Sequence, residues 1–545
     1  MKHRIQGVKP WLLGAVLLSS SNLAHSGEPI QPPDDRLDPG HAKEGLSVPR
    51  TAPDIENAVT NIASDANETT PITGIQFKGA DVPGIVAKAT EAFLGQPANT
   101  ETLKQLAAAM TAAYSKSDVA LFTIAVPQQD LSDGIVDVFI AEGRVADIVA
   151  IRGDEQIVAP RLRGYLEPIL DETPATRATY ERGVSLARRA EGTKVTPRLQ
   201  MAPEPGAINL LLDVEEKENG FAVGYDSRES RIVDSGRISA SAFGYSLLRE
   251  GDVLRGRLAA TPDGEQSQTA SLQYGTPVGS DGLKLDVAAV YQATNPSSIP
   301  INGSATFFSA GLSYPVLLDF HREVSLSAVL DHTESRNSAL GSVFANERVA
   351  AGRLGVRAGL IQKNRSINGS LTYSRGLDLD NAESAVVGAE TGFNKINATA
   401  GVVQKLSKHL FLRLRAAGQW TEDILPANER LMYGGIEYGR GFDNGLISFD
   451  KGYEAVFEPA WRPISEGNFA KSELYLFADY AEGNLSLSPS ISRDFNLGSA
   501  GIGARIGYKD YASIGLEYAE PWDVPVTGFS DDSVVTFSWA FKYQP

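Results

Sequence analysis

Cysteine is absent from all 545 residues of this chain. There is therefore no disulfide framework, no thiol nucleophile and no cysteine-ligated metal, and folding in an oxidising compartment needs no redox control. Histidine is scarce: six residues, at positions 3, 25, 41, 321, 332 and 409, with no spacing that would converge ligands on a zinc ion. Neither a Gly-x-Ser-x-Gly elbow nor a Gly-Lys-Ser/Thr phosphate cradle occurs. Positive charge is also short, with 50 Lys and Arg against 67 Asp and Glu and a formal net charge of −17. That balance argues against nucleic acid, whose phosphates need a basic face. These gaps leave no candidate catalytic, metal or cofactor site, and the expectation is a protein that is not an enzyme.

Long apolar runs are missing as well. Lys2, Arg4 and Lys9 precede a short apolar core, Trp11 to Leu18, and Ala24-His25-Ser26 supplies small residues before Gly27. This predicts a cleaved export signal over residues 1–26, because the run falls far below the ~20 residues of a membrane span. An exported chain without a helical span is periplasmic, secreted, or a barrel in an outer membrane.

What is present divides into four further parts. Residues 27–71 hold seven prolines and nine acidic against three basic residues, the composition of a linker. Within it, Ile55, Val59 and Ile62 have the spacing of a short amphipathic helix, a possible plug. Residues 72–143 read as β-α-α-β-β, with Ile85, Ala89 and Phe93 on a first helix, Leu103, Leu106 and Met110 on a second, and Asn99 or Thr100 capping it. Residues 144–217 repeat that order: Arg152-Gly153 echoes Lys78-Gly79, and helical stretches are expected at 155–170 and 175–190.

After Lys217 the helical spacing stops. Leu410, Leu412 and Leu414 alternate with Phe411, Arg413 and Arg415, and Val535, Phe537, Trp539, Phe541 and Tyr543 alternate with smaller or polar residues. A soluble sandwich would bury the apolar face; an outer-membrane barrel turns it to lipid and the polar face, with Arg413 and Arg415, to the lumen. At ~20 residues per strand and connection, residues 218–545 give about 16 antiparallel strands, an even number that closes without an open edge.

One stretch within this region has a different texture. Residues 425–452, LPANERLMYGGIEYGRGFDNGLISFDKG, gather six glycines around Arg440. Gly434-Gly435, Arg440-Gly441-Phe442 and Asp450-Lys451-Gly452 resemble the loop motif of the haemolysin activation and secretion (ShlB/FhaC/HecB) transporters of two-partner secretion. Gly439 stands where the family has valine, and Phe449 where it has glycine. A second family motif, Phe-x-Asp-x-Gly, is matched by Phe477 and Asp479, with Gly483 two residues late. Tyr180-Glu181-Arg182 and Pro205-Gly206 resemble features of the family's second POTRA module, and Arg189-Ala190-Glu191-Gly192 replaces another of its segments.

The resemblance implies two POTRA modules in the periplasm and a type V secretion barrel in a bacterial outer membrane. It implies a large exoprotein as partner, outer-membrane lipid around the barrel, a barrel-assembly machinery to insert it, a monomer, and no cofactor. It also implies that Arg440 pairs with Asp479 inside the lumen, as a planar guanidinium fork can with a carboxylate. Two other readings remain open at this point: an outer-membrane protein insertase, and a passive pore for solutes or polysaccharides.

Overall fold

A computed structural model describes residues 59–62, 67–204, 206–228, 233, 236–340, 342–379, 381–523 and 532–544. The expected export signal, most of the linker and Pro205 lie outside the described residues. No described helix is long and apolar enough to cross a membrane.

The first module has a four-stranded sheet in the order Val59–Ile62, Phe122–Val126, Ile135–Glu142, Gly74–Lys78, with helices Gly84–Thr90 and Thr100–Tyr114 against it. Asn99 is the cap: its side-chain oxygen accepts from the Thr102 N–H at 2.9 Å, satisfying a donor that the first turn leaves unpaired. Leu103, Leu106 and Met110 form the buried stripe of that helix, and Val136, Val138 and Ile140 the matching face of the sheet. The shorter helix buries Val86 and Thr90, one position on from the expected face; Ile85 is 46% exposed.

The linker differs from expectation. Val59–Ile62 is a strand, not part of a helix, and lies parallel to Phe122–Val126. That edge presents a row of unpaired backbone groups, and pairing with it satisfies what a solvated single helical turn would leave to water. The second module repeats the plan in the order Glu155–Ile157, Arg144–Arg152, Ala207–Glu216, Thr193–Met201. Its first expected helical stretch opens instead with the short strand Glu155–Ile157 and becomes helical from Pro160.

Sixteen antiparallel strands, from Gly220–Asp226 to Val534–Tyr543, close into a barrel. The ends meet in register from Phe221 opposite Tyr543 to Asp226 opposite Ser538. Alternation holds around the wall: Leu414 and Leu476 are exposed outside, while Arg413, Phe477 and Thr536 are buried inside. The sixteen strands close on themselves instead of forming two facing sheets, which overturns the sandwich reading.

The second module is seated on barrel turns. Leu318, at a strand end, is buried in the module's own core, and Phe320 meets Tyr180 edge-on at 6.1 Å. Burial, reinforced by Glu181, pushes the Tyr180 hydroxyl up to about 12, so the ring packs there uncharged. Arg182 donates to Asp281 at 2.9 Å, to the Pro315 carbonyl at 2.8 Å and to the Tyr314 hydroxyl at 3.1 Å. Truncating Leu318→Ala is expected to weaken this seat by about 2–5 kcal/mol, the usual range for a buried leucine. Limited proteolysis of residues 216–220 should then accelerate while the barrel keeps its heat-modifiable mobility; an unchanged cleavage rate would refute the shared core.

Candidate functional site

The segment 421–450 leaves the barrel wall after Leu410–Trp420 and rejoins it at Lys451–Trp461. Counting alternating strands from Gly220 places it at the end opposite the modules. It does not stay there. Its hairpin, Leu431–Tyr433 paired with Ile447–Phe449, is buried inside the barrel, with Tyr433 and Phe449 fully covered. Phe442, Leu446 and Ile447 join them against Ala481, Leu485, Phe495 and Leu497 of the wall.

Glycine permits this fit. Gly434 and Gly435 take φ of +111° and +124°, and a Cβ on Gly434 would stand 2.2 Å from the Asp443 carbonyl oxygen. Gly441 lies against the wall, where a Cβ would come within 2.7 Å of Ser499 Cβ. Asp450 closes the base of the loop, accepting from Leu425 N–H at 2.9 Å, Arg430 Nε at 3.1 Å and Ser486 N–H at 2.7 Å. Gly452 follows as the strand re-enters the wall, 2.5 Å from Glu482 O by its notional Cβ.

Arg440 is 2% exposed. Asp479 and Arg440 do meet, but through the backbone: the Arg440 N–H donates to Asp479 at 3.0 Å. The other carboxylate oxygen accepts from Tyr433 Oη at 2.8 Å and Ser499 Oγ at 2.6 Å. The guanidinium instead reaches Glu458 at 2.8 Å and Glu517 at 3.3 Å, and lies 4.5 Å over the Phe477 ring. This corrects the expected side-chain pairing. Inward residues on a strand recur every second position, so Phe477 sits one step nearer the modules than Asp479. The arginine takes its level from that ring, where Glu458 and Glu517 are the available acceptors.

The lumenal basic residues are engaged rather than free. Arg413 pairs with Glu458 at 2.6 Å and Glu473 at 2.7 Å; Arg505 bridges the same two acids, and Arg462 adds to Glu473. Arg415 lies over the Tyr438 ring at 5.8 Å and donates to the Glu437 carbonyl at 3.4 Å, so it touches the loop itself. Glu517 also binds Arg228 at 2.7 Å, beside the first barrel strand.

A second anchor had no counterpart in the sequence reading. Glu429 of the loop meets Arg353 and Lys395, each at 2.8 Å, and Arg353 is held in turn by Asp331 at 2.5 Å. Glu347 accepts the Ala427 and Asn428 N–H groups at 3.2 Å each. Charged residues at inward positions of otherwise alternating strands were the available signal, but it names no partner.

The arrangement is thus a closed barrel whose bore is crossed by a loop of its own chain, with two modules at the far mouth. The family model for the haemolysin secretion/activation proteins ShlB/FhaC/HecB matches residues 207–506, more than half of the chain. The chain belongs to this family. Its members are transporters rather than enzymes, and they secrete partner exoproteins through a barrel that carries POTRA domains. The family model for the ShlB-type POTRA domain matches residues 70–143.

Among relatives, the heme/hemopexin transporter protein HuxB of Haemophilus influenzae is 19% identical over 482 residues, covering 83% of this chain and 84% of that one. The solved structure of CdiB from Escherichia coli superposes with a TM-score of 0.70 at 18% identity, over 91% of this chain and 94% of that one. BamA from Haemophilus ducreyi, lacking POTRA domains 1–3, gives 0.52 at 14% identity, over 87% of this chain and the whole of that one.

Replacing Gly441→Ala should prise the loop from Ser499 and raise single-channel conductance in planar bilayers several-fold. Conductance equal to the parent protein would mean that the loop does not fill the bore as described.

Proposed function

We propose that this transporter sits in a bacterial outer membrane with its modules in the periplasm. There they catch an unfolded exoprotein and pass it outward through the barrel. The loop carrying Arg440 holds the bore shut between substrates. The observation that carries this reading is the buried loop. A bore filled by polar and aromatic side chains of the chain's own loop suits a gate, whereas a passive solute pore gains nothing from it.

Capture would proceed by strand addition, the extended passenger pairing with a sheet edge. In the second module Thr193–Met201 is an edge strand of nine residues with a single neighbour among the described residues. The corresponding edge of the first module is taken by Val59–Ile62. With no nucleotide in a periplasm, folding of the passenger outside would supply direction by making return unfavourable. Closure within one chain suits a monomer surrounded by lipid and inserted by a barrel-assembly machinery. HuxB is described as a heme/hemopexin transporter protein. What comes over to this chain is transport; the cargo named there belongs to that protein.

Buried ion pairs contribute to register more than to net stability, but removing one partner is costly, about 3–5 kcal/mol, because the other charges stay buried. Arg440→Ala should therefore undock the loop and abolish export while the barrel still assembles and remains heat-modifiable. The measurement is mass spectrometry of culture supernatants and of outer-membrane fractions from the host with the gene, without it, and with Arg440→Ala. One large exoprotein should disappear in the last two. A fall in many outer-membrane proteins would favour an insertase, and unchanged supernatants would end the export reading.

A further inference from the structure

A cavity of about 210 Å³ lies where the second module meets the barrel, with Arg161, Arg189 and Glu191 on the module side and Lys284, Glu323 and Arg357 on the wall. Four cationic side chains thus face two carboxylates. Part of this charge is internally matched. Arg189 holds Glu323 at 2.7 Å, and Lys284 lies 3.2 Å from Asp286 beside the cavity and 3.7 Å from Glu191. Arg161 is different. Its Nε and Nη1 are shielded from solvent and have no hydrogen-bond acceptor among the described residues.

A guanidinium has five fixed donors and no means of neutralising itself by losing a proton. Buried donors of that kind are satisfied in native proteins, so two on one side chain point to an acceptor that the described residues do not supply. The setting is built for close approach. Gly251, at φ +78°, lies beneath the guanidinium, and a Cβ there would stand 3.0 Å from Arg161 Nε.

Strand parity tells which side the cavity opens to. Lys284 and Arg357 occupy inward positions, as do Ser313, Ser325 and Ser327, whereas Leu326, which also borders the cavity, belongs to the outward set. The charged and hydroxyl lining of the cavity therefore faces the lumen's module-side mouth. Leu186, Pro277 and Pro315 add apolar surface beside the charges. Cations flanked by short apolar walls suit a carboxylate on a methylene stem.

We propose that this cavity is a receptor for the acidic side chains, aspartate or glutamate, of an extended polypeptide at the mouth of the barrel, with Arg161 as the primary donor. The inference rests on the export reading for the identity of the polypeptide, but not for the binding itself. An exporter with such a site would favour passengers that present acidic segments to the mouth, held long enough to be threaded.

The test uses the full-length protein in zwitterionic nanodiscs and two fluorescein-labelled probes, oligoglutamate and oligoglutamine, followed by anisotropy. Oligoglutamate should bind and oligoglutamine should not. Arg161→Gln should weaken oligoglutamate about tenfold, and Arg161→Lys should restore part of the loss, since an ammonium keeps the charge but not the fork. Heat-modifiable mobility of each variant confirms an assembled barrel. Equal binding of both probes, or oligoglutamate binding that Arg161→Gln leaves unchanged, would overturn the proposal. So would anionic-lipid nanodiscs that abolish oligoglutamate binding to the parent protein but not to the variant, since the cavity would then be a phospholipid headgroup site. No exoprotein enters this experiment, so its failure leaves the secretion assay standing, and failure of the secretion assay leaves the binding result standing.

Discussion

The contact on which the rest of this structure depends is the seating of one buried arginine. Arg440 cannot shed its charge, and its guanidinium lies deep in a lumen that the loop has largely closed to water. It is tolerable there because Glu458 and Glu517 accept from it and the face of Phe477 supports it. Those three groups come from three different strands of the wall. The loop is consequently docked only when the barrel is closed in its correct register, whereas Glu458 and Glu517 also hold wall partners, Arg413 and Arg505 for the first and Arg228 for the second.

Around that contact the lumen is divided into two polar networks. One joins Arg440 through Glu458 and Glu473 to Arg413, Arg505 and Arg462, close to the module end. The other holds the loop's Glu429 on Arg353 and Lys395 across the bore. Between them the hairpin contributes aromatic surface. A loop held by ions at two places and by packing between them resembles a bolt more than a plug of grease. Release of the loop in the proposed export would require both ionic networks to find water or new partners, which a polar polypeptide threading the bore would offer.

The modules are part of the same mechanical unit. Leu318 and Phe320 from a barrel turn enter the core of the second module. Arg177 of that module donates to the Ser117 and Val119 carbonyls of the first, at 3.0 and 3.1 Å. The sheet edge at Thr193–Met201 is therefore presented from a fixed position relative to the mouth, where the basic cavity also lies.

Much of this was legible in the sequence because it rests on local periodicity. Alternation marked the barrel and its inward residues, including Phe477 and Asp479, since the pleat allows a side chain only two directions. The repeated β-α-α-β-β order marked the modules, and the glycines around Arg440 marked a loop that must bend tightly. What the sequence could not determine were the pairings between distant strands. Whether Arg440 met Asp479, Glu458 or Glu517 depended on stagger around the barrel, which no local pattern encodes. The same holds for Glu429 on Arg353, for Arg161 under the barrel mouth, and for Val59–Ile62, where a free sheet edge in the folded module outweighed a helical spacing. Local sequence fixed which way each residue faces; only closure of the barrel and seating of the module decided what it meets there.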